Sequence, residues 1–93
     1  MRGGWVYIMA NKPFGTTYIG VTANLPARVH QHKSGTGSIH CRDHGLHHLV
    51  YAEEYPTIAE AIAREKAMKK WKRRWKTDLI SKANPDWSDL LPY

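Results

Sequence analysis

Ninety-three residues suffice for one small domain, near the size at which folding hides only about two thirds of the surface an unfolded chain exposes. Fourteen Lys and Arg against eight Asp and Glu give a net charge of +6, which favours a polyanionic partner such as nucleic acid, although ribosomal and membrane-surface proteins are basic too. The single Cys41 excludes an internal disulfide, and no apolar run is long enough for a signal peptide or a membrane span, so a cytoplasmic address without a membrane partner is expected.

Residues 1–4 read as a lead-in. Two alternating runs follow, WVYIM (5–9) and TTYIGV (16–21), and the loop between them carries Asn11, Lys12, Pro13 and Gly15, so a hairpin is expected. Symmetry about the Lys12–Pro13 bond would set Tyr7 opposite Tyr18. Strand alternation then puts Trp5, Tyr7, Met9, Thr16, Tyr18 and Gly20 on one face, and Val6, Ile8, Ile19 and Val21 on an aliphatic core face. Gly20 leaves a gap beside the phenols that is suited to close approach of a substrate. Asn24 is the expected cap of a helix over 25–33, with Pro26 tolerated in its first turn. That helix sets Arg28 and His32 one turn apart on one face, so two phenols, a guanidinium and an imidazole can converge.

Residues 33–48 are rich in Gly, Ser and His without a clear period and read as a loop. His40, Cys41, His44, His47 and His48 fall within nine residues, a composition that zinc sites use, but one cysteine without a second Cys-x-x-Cys half argues against structural zinc. His44 or His47 can face substrate; neither is assigned. LVYAEEY (49–55) reads as a third strand ended by Pro56, and Thr57 with Glu60 forms a capping box for a helix over 58–71. On that helix Ile58, Ala61, Ile62 and Met68 make an apolar stripe with Glu65 near its middle. An ionised carboxylate there needs a partner, a cation or a metal. Residues 66–76, KAMKKWKRRWK, carry seven of the fourteen basic side chains, with Trp71 and Trp75 one turn apart as an expected core seam. Lys66, Lys69, Lys70 and Arg73 are candidates for neutralising phosphates without sequence choice. A further helix is expected over 75–83, broken by Asn84-Pro85-Asp86, with Trp87, Leu90 and Leu91 folding back as a lid. The fold class is therefore α/β: a small three-stranded antiparallel sheet flanked by helices, with residues 1–93 as a single domain.

The spacing of Tyr7, Tyr18-Ile19-Gly20, Arg28 and His32, with Glu65 after the third strand, resembles the GIY-YIG endonuclease superfamily, particularly its short single-domain bacterial members. The first motif is degenerate, Trp5-Val6-Tyr7 for Gly-Ile-Tyr, while the second is intact; the Asn84-Pro85-Asp86-Trp87 ending also looks like the short members. The resemblance implies that Tyr7 activates water, directly or as a relay, and that Glu65 holds a single divalent metal, Mg²⁺ or Mn²⁺. It implies DNA as the partner.

The residue chemistry agrees with those roles. Arg28 is a permanent cation with a planar fork suited to phosphate oxygens, hence a stabiliser of the transition state. His32 can donate to phosphate or pass a proton, and Tyr18 can orient phosphate or nucleophile. A phenol is a weak base at neutral pH, with a reference pKa of about 10, but a nearby cation favours the phenolate. The preferred function is a metal-dependent endonuclease that hydrolyses DNA with low sequence specificity, with repair or recombination as its setting and a partner protein supplying specificity. The alternative is a non-catalytic nucleic-acid-binding module that keeps the fold.

Overall fold

A computed structural model of the chain describes residues 3–35 and 45–91. The elements run β1 (Gly4–Ala10), β2 (Thr17–Thr22), α1 (Leu25–Ser34), β3 (His48–Tyr55), α2 (Ile58–Lys69) and α3 (Arg73–Ala83). The strands form one antiparallel sheet in the order β2-β1-β3, as the alternating runs predict. The central strand β1 is the most apolar of the three, and Val6 to Ala10 are all buried because both faces of the sheet are covered.

One core lies between the sheet and the two C-terminal helices: Val6, Ile8, Ala10, Ile19 and Val50 meet Ala61, Met68, Ile80 and Trp87. The other lies under α1, where Tyr7, Met9 and Leu49 meet Leu25, Val29 and Leu46. A bulge where β3 passes Ile8 and Met9 makes Tyr51 the partner of Ile8 and Leu49 the partner of Met9. The extra residue lets Val50 and Tyr51 enter the same core while Leu49 enters the opposite one.

The hairpin register corrects the expectation. Tyr7 pairs with Gly20 and Tyr18 with Met9, so the axis lies between Pro13 and Phe14. Asn11 closes the loop, its amide donating to the Thr16 carbonyl at 3.3 Å and its side chain accepting from the Thr16 amide at 2.9 Å. Arg73 then clamps the loop from α3, donating to the carbonyls of Phe14 at 3.0 Å and Gly15 at 2.7 Å. That clamp holds Phe14 at φ 58°, a left-handed conformation a bulky residue adopts only when its surroundings enforce it.

Three further expectations are revised. The helix expected through Trp71 ends at Lys69, where the Lys70 and Trp71 amides turn back to the carbonyls of Ala67 and Met68, and the next helix starts at Arg73. The break turns Trp71 onto the core but leaves Trp75 54 % exposed, so the tryptophans are not a buried seam. The α2 stripe narrows to Ala61 and Met68, because Ile58 and Ile62 lie on its exposed margin.

The chain after α3 folds back as expected for Trp87, which is buried, whereas Leu90 stays exposed. Asn84 donates to the carbonyls of Val50 and Ser88 at 3.0 and 2.9 Å, and Asp89 accepts from the Leu49 amide and pairs with Lys33 of α1. No helix among the described residues is long and apolar enough to cross a membrane.

Candidate active site

The β2–α1 corner sets the geometry. The Thr22 hydroxyl accepts from the Asn24 amide at 3.1 Å, and the Asn24 side chain accepts from the Ala27 amide at 3.2 Å, fixing the first turn of α1 directly against the end of β2. Gly35, at φ 80°, ends the helix and returns its amide to the carbonyls of Gln31 and His32. Between those caps α1 lies over the face of the sheet that carries the tyrosines.

On that face Tyr7, Tyr18 and His32 form a triangle. The Tyr7 hydroxyl lies 2.9 Å from His32 Nε2, a buried hydrogen bond across 25 residues of chain. The ring centroids are 5.5 Å apart for Tyr7 and His32, 5.6 Å for Tyr18 and His32, and 6.4 Å for the two phenols. Tyr7 and His32 are each only 1 % exposed, while Tyr18 and Arg28 are half-buried, so the latter two form the accessible side. Burial, then the Arg28 charge, then His47 hold the His32 imidazole below its ordinary 6.5, so it is neutral at pH 7. His32 Nδ1 is buried and, among the described residues, has no hydrogen-bond partner.

Gly20 has a structural consequence beside the substrate access expected of it. A Cβ built there would lie 2.4 Å from the Tyr7 hydroxyl and 2.5 Å from its ring carbon, so the missing side chain houses the Tyr7 phenol. The gap gives the Tyr7 phenol its room.

Glu65 comes from a different element than the triangle. It is on α2, which covers the other face of the sheet, its side chain is 15 % exposed, and it pairs with Lys69 at 3.4 Å. Arg64, about 100° away on the helix, reaches β3, so Glu65 is on the flank towards the edge strand β2.

The basic candidates divide. Lys66 and Lys70 are exposed, Lys69 is exposed but paired with Glu65, and Arg73 is committed to the hairpin carbonyls. His47, which the sequence left unassigned, donates from Nδ1 to the His32 carbonyl at 3.0 Å and so borders the site. Only its place in a histidine-rich stretch hinted at this. His40, Cys41 and His44 lie outside the described residues, and the described ones hold no group of three or more metal-ligating side chains.

The GIY-YIG catalytic-domain family matches residues 3–78, a span that contains the tyrosines, Arg28, His32 and Glu65. The chain belongs to the GIY-YIG family. UPF0213 proteins of Staphylococcus aureus strains Mu50 and N315 are each 36 % identical to it over 80 residues, covering 86 % of this chain and 96 % of theirs. The solution structure of a UPF0213 protein from Bacillus halodurans superposes with a TM-score of 0.57 at 30 % identity, covering 94 % of this chain and 92 % of that one. This GIY-YIG domain is thus of a nuclease family, and its α/β fold is that of its structural neighbour.

A polar network of the GIY-YIG domain lies on the opposite face of the sheet. Glu53 accepts from Tyr51 at 2.5 Å, from Tyr55 at 2.8 Å, and from Arg64 at 3.1 and 3.2 Å, and the Arg64 guanidinium lies 4.9 Å over the Trp71 ring. Burial would raise the Glu53 carboxyl, but the Arg64 and tyrosine bonds outweigh it and hold it below its ordinary 4.5. Burial and the carboxylate push both phenols up. This network ties β3 to α2 on the face opposite the triangle and so fixes the flank on which Glu65 stands.

Proposed function

We propose that this GIY-YIG domain, residues 1–93, is a divalent-metal-dependent endonuclease that hydrolyses DNA phosphodiesters with low sequence specificity in repair or recombination, a partner protein supplying the choice of target. The observation that carries the reading is the buried hydrogen bond between Tyr7 and neutral His32, with Tyr18 and Arg28 on its accessible side.

In this reading His32 carries its proton on Nδ1, and Tyr7 donates to Nε2. Burial and the Arg28 charge make the His32 imidazole a weaker base than usual, which disfavours transfer of the Tyr7 proton in the free domain. A substrate phosphate beside Arg28 opposes the cationic influence on His32 and raises its basicity, so the transfer becomes easier once substrate is bound. Tyr7 is too buried to meet bulk water and acts as a relay, taking a proton from the attacking water as its own passes to His32. Tyr18 orients the phosphate, and the Arg28 fork neutralises charge on the phosphorane oxygens.

Glu65 would hold the metal. A part-buried carboxylate whose neighbour is an exposed lysine fits Mg²⁺ or Mn²⁺, which take oxygen ligands and keep several waters, so one protein ligand with the substrate phosphate suffices. Bound there, the cation supplies Lewis-acid stabilisation of the phosphate and leaving oxygens. Lys66 and Lys70 hold the nucleic-acid backbone.

One observation favours a second reading, a nucleic-acid-binding module without catalysis: Tyr7 is 1 % exposed. Cleavage of plasmid and short duplex with Mg²⁺ or Mn²⁺ separates the two. The nuclease reading expects cutting by the wild type that vanishes in Arg28→Ala and Glu65→Ala, with binding kept in Glu65→Ala. Binding without any cutting by the wild type favours the module, and an unchanged rate in Glu65→Ala removes the metal assignment.

A further inference from the structure

The exposed indole on α3 has no part in the tyrosine site. Trp75 is 54 % exposed and meets Trp71 edge-on, centroids 6.3 Å apart at 75°. Trp71 is itself fixed from behind by the Arg64 guanidinium, which Glu53 holds with two hydrogen bonds. The two rings and Leu79 line an open recess of about 350 Å³, with Asp78 and Lys82 at its rim. Helical spacing places Lys82 two turns after Trp75 on the same face, and the exposed Lys72 stands at the N-cap of α3, three residues before Trp75. Asp78, the one carboxylate lining the recess, faces Arg74 at 3.9 Å. The recess is therefore a rigid aromatic surface inside a positive field, on the opposite side of the sheet from Tyr7.

A duplex covers its base faces and could use only the lysines; an apolar protein surface could use only the rings. A strand with unpaired bases uses both. We propose that the Trp71–Trp75 recess is a stacking site for unpaired nucleotides, separate from the cleavage pocket, with Lys72 and Lys82 holding the flanking phosphates. The proposal rests on the nuclease reading only in taking nucleic acid as the polymer bound.

The test is a titration of fluorescein-labelled dT20, rU20 and a blunt duplex with the whole chain in EDTA. Stacking on an aromatic side chain contributes about 1–3 kcal/mol per base, so Trp75→Ala is expected to weaken both single strands roughly tenfold or more and the duplex hardly at all. Losses on dT20 and rU20 are expected to match, because ring stacking does not read the 2′-hydroxyl. Trp75→Tyr, which keeps a stacking ring, is expected to retain most of the affinity with an unchanged circular dichroism spectrum. Unchanged single-strand affinity in Trp75→Ala, or an equal loss on the duplex, overturns the proposal. So does a wild-type dimer in sedimentation that Trp75→Ala abolishes, since the recess would then be a self-association face. No cleavage is read, so single-strand binding through Trp75 by a domain that cuts nothing leaves this site in place while removing the nuclease reading.

Discussion

Tyr7 can be buried against α1 only because Gly20 has no side chain, and the same arrangement aims its hydroxyl at His32. Gly20→Ala forces the phenol aside, so we expect a loss of about 1–3 kcal/mol in urea unfolding, typical of overpacking, together with lost activity; stability equal to wild type would mean that Tyr7 has room to spare. His32 adds a pH signature. Its pKa in the folded chain is depressed, so the unfolded chain binds the proton more readily, and the stability gained by keeping it neutral is fully present above about pH 6.5 and lost as pH falls through the depressed value. The urea midpoint should therefore fall between about pH 7 and pH 5, and His32→Gln should flatten that stretch. Glu53, also depressed, acts in the same direction but only below 4.5, so the two groups separate on the pH axis.

At the scale of elements, the alternation of WVYIM, TTYIGV and LVYAEEY and the caps Asn24 and Thr57 were enough to place three strands and the starts of α1 and α2. Register was not legible. Side chains repeat every two residues, so a shift of two in pairing keeps every residue on its face, and the hydrophobic pattern is blind to the difference between Tyr18 and Gly20 as the partner of Tyr7. The α2–α3 break was hidden for another reason: neither Gly nor Pro marks it, and it is set by Trp71 turning onto the core and by Arg73 reaching the hairpin. Of the site, the one-turn spacing of Arg28 and His32 could be read locally, whereas the Tyr7–His32 contact spans two elements and His47 arrives from a stretch with no period. The Glu53–Arg64 tie between β3 and α2 yields a prediction at this scale. Glu53→Gln keeps the shape but loses the charge-assisted bonds, and should cost about 2 kcal/mol, a Tm decrease of roughly 10 °C by calorimetry. An unchanged Tm would show that the network is not a stabilising tie.

Over the whole molecule the chemistry is split between two layers. The tyrosine triangle lies under α1, while Glu65 and the basic segment belong to α2 and α3, which pack on the other core, so a substrate that uses both contacts elements of both layers. The net charge of +6 makes such binding salt-dependent, and Lys66→Ala with Lys70→Ala should reduce the slope of log affinity against log salt by about 2 on duplex DNA; an unchanged slope would put the phosphates elsewhere. The proposed division of labour depends above all on the buried phenol. The measurement that tests it most directly is the initial rate of cleavage of a labelled oligonucleotide with Mg²⁺ by the wild type and by Tyr7→Phe, which removes one hydroxyl and leaves the ring in place. A rate at least about a hundredfold lower with unchanged DNA affinity is predicted, the range expected for loss of a positioned proton-transfer group. Equal rates would contradict the account, because the Tyr7–His32 pair would then be packing and no part of the chemistry.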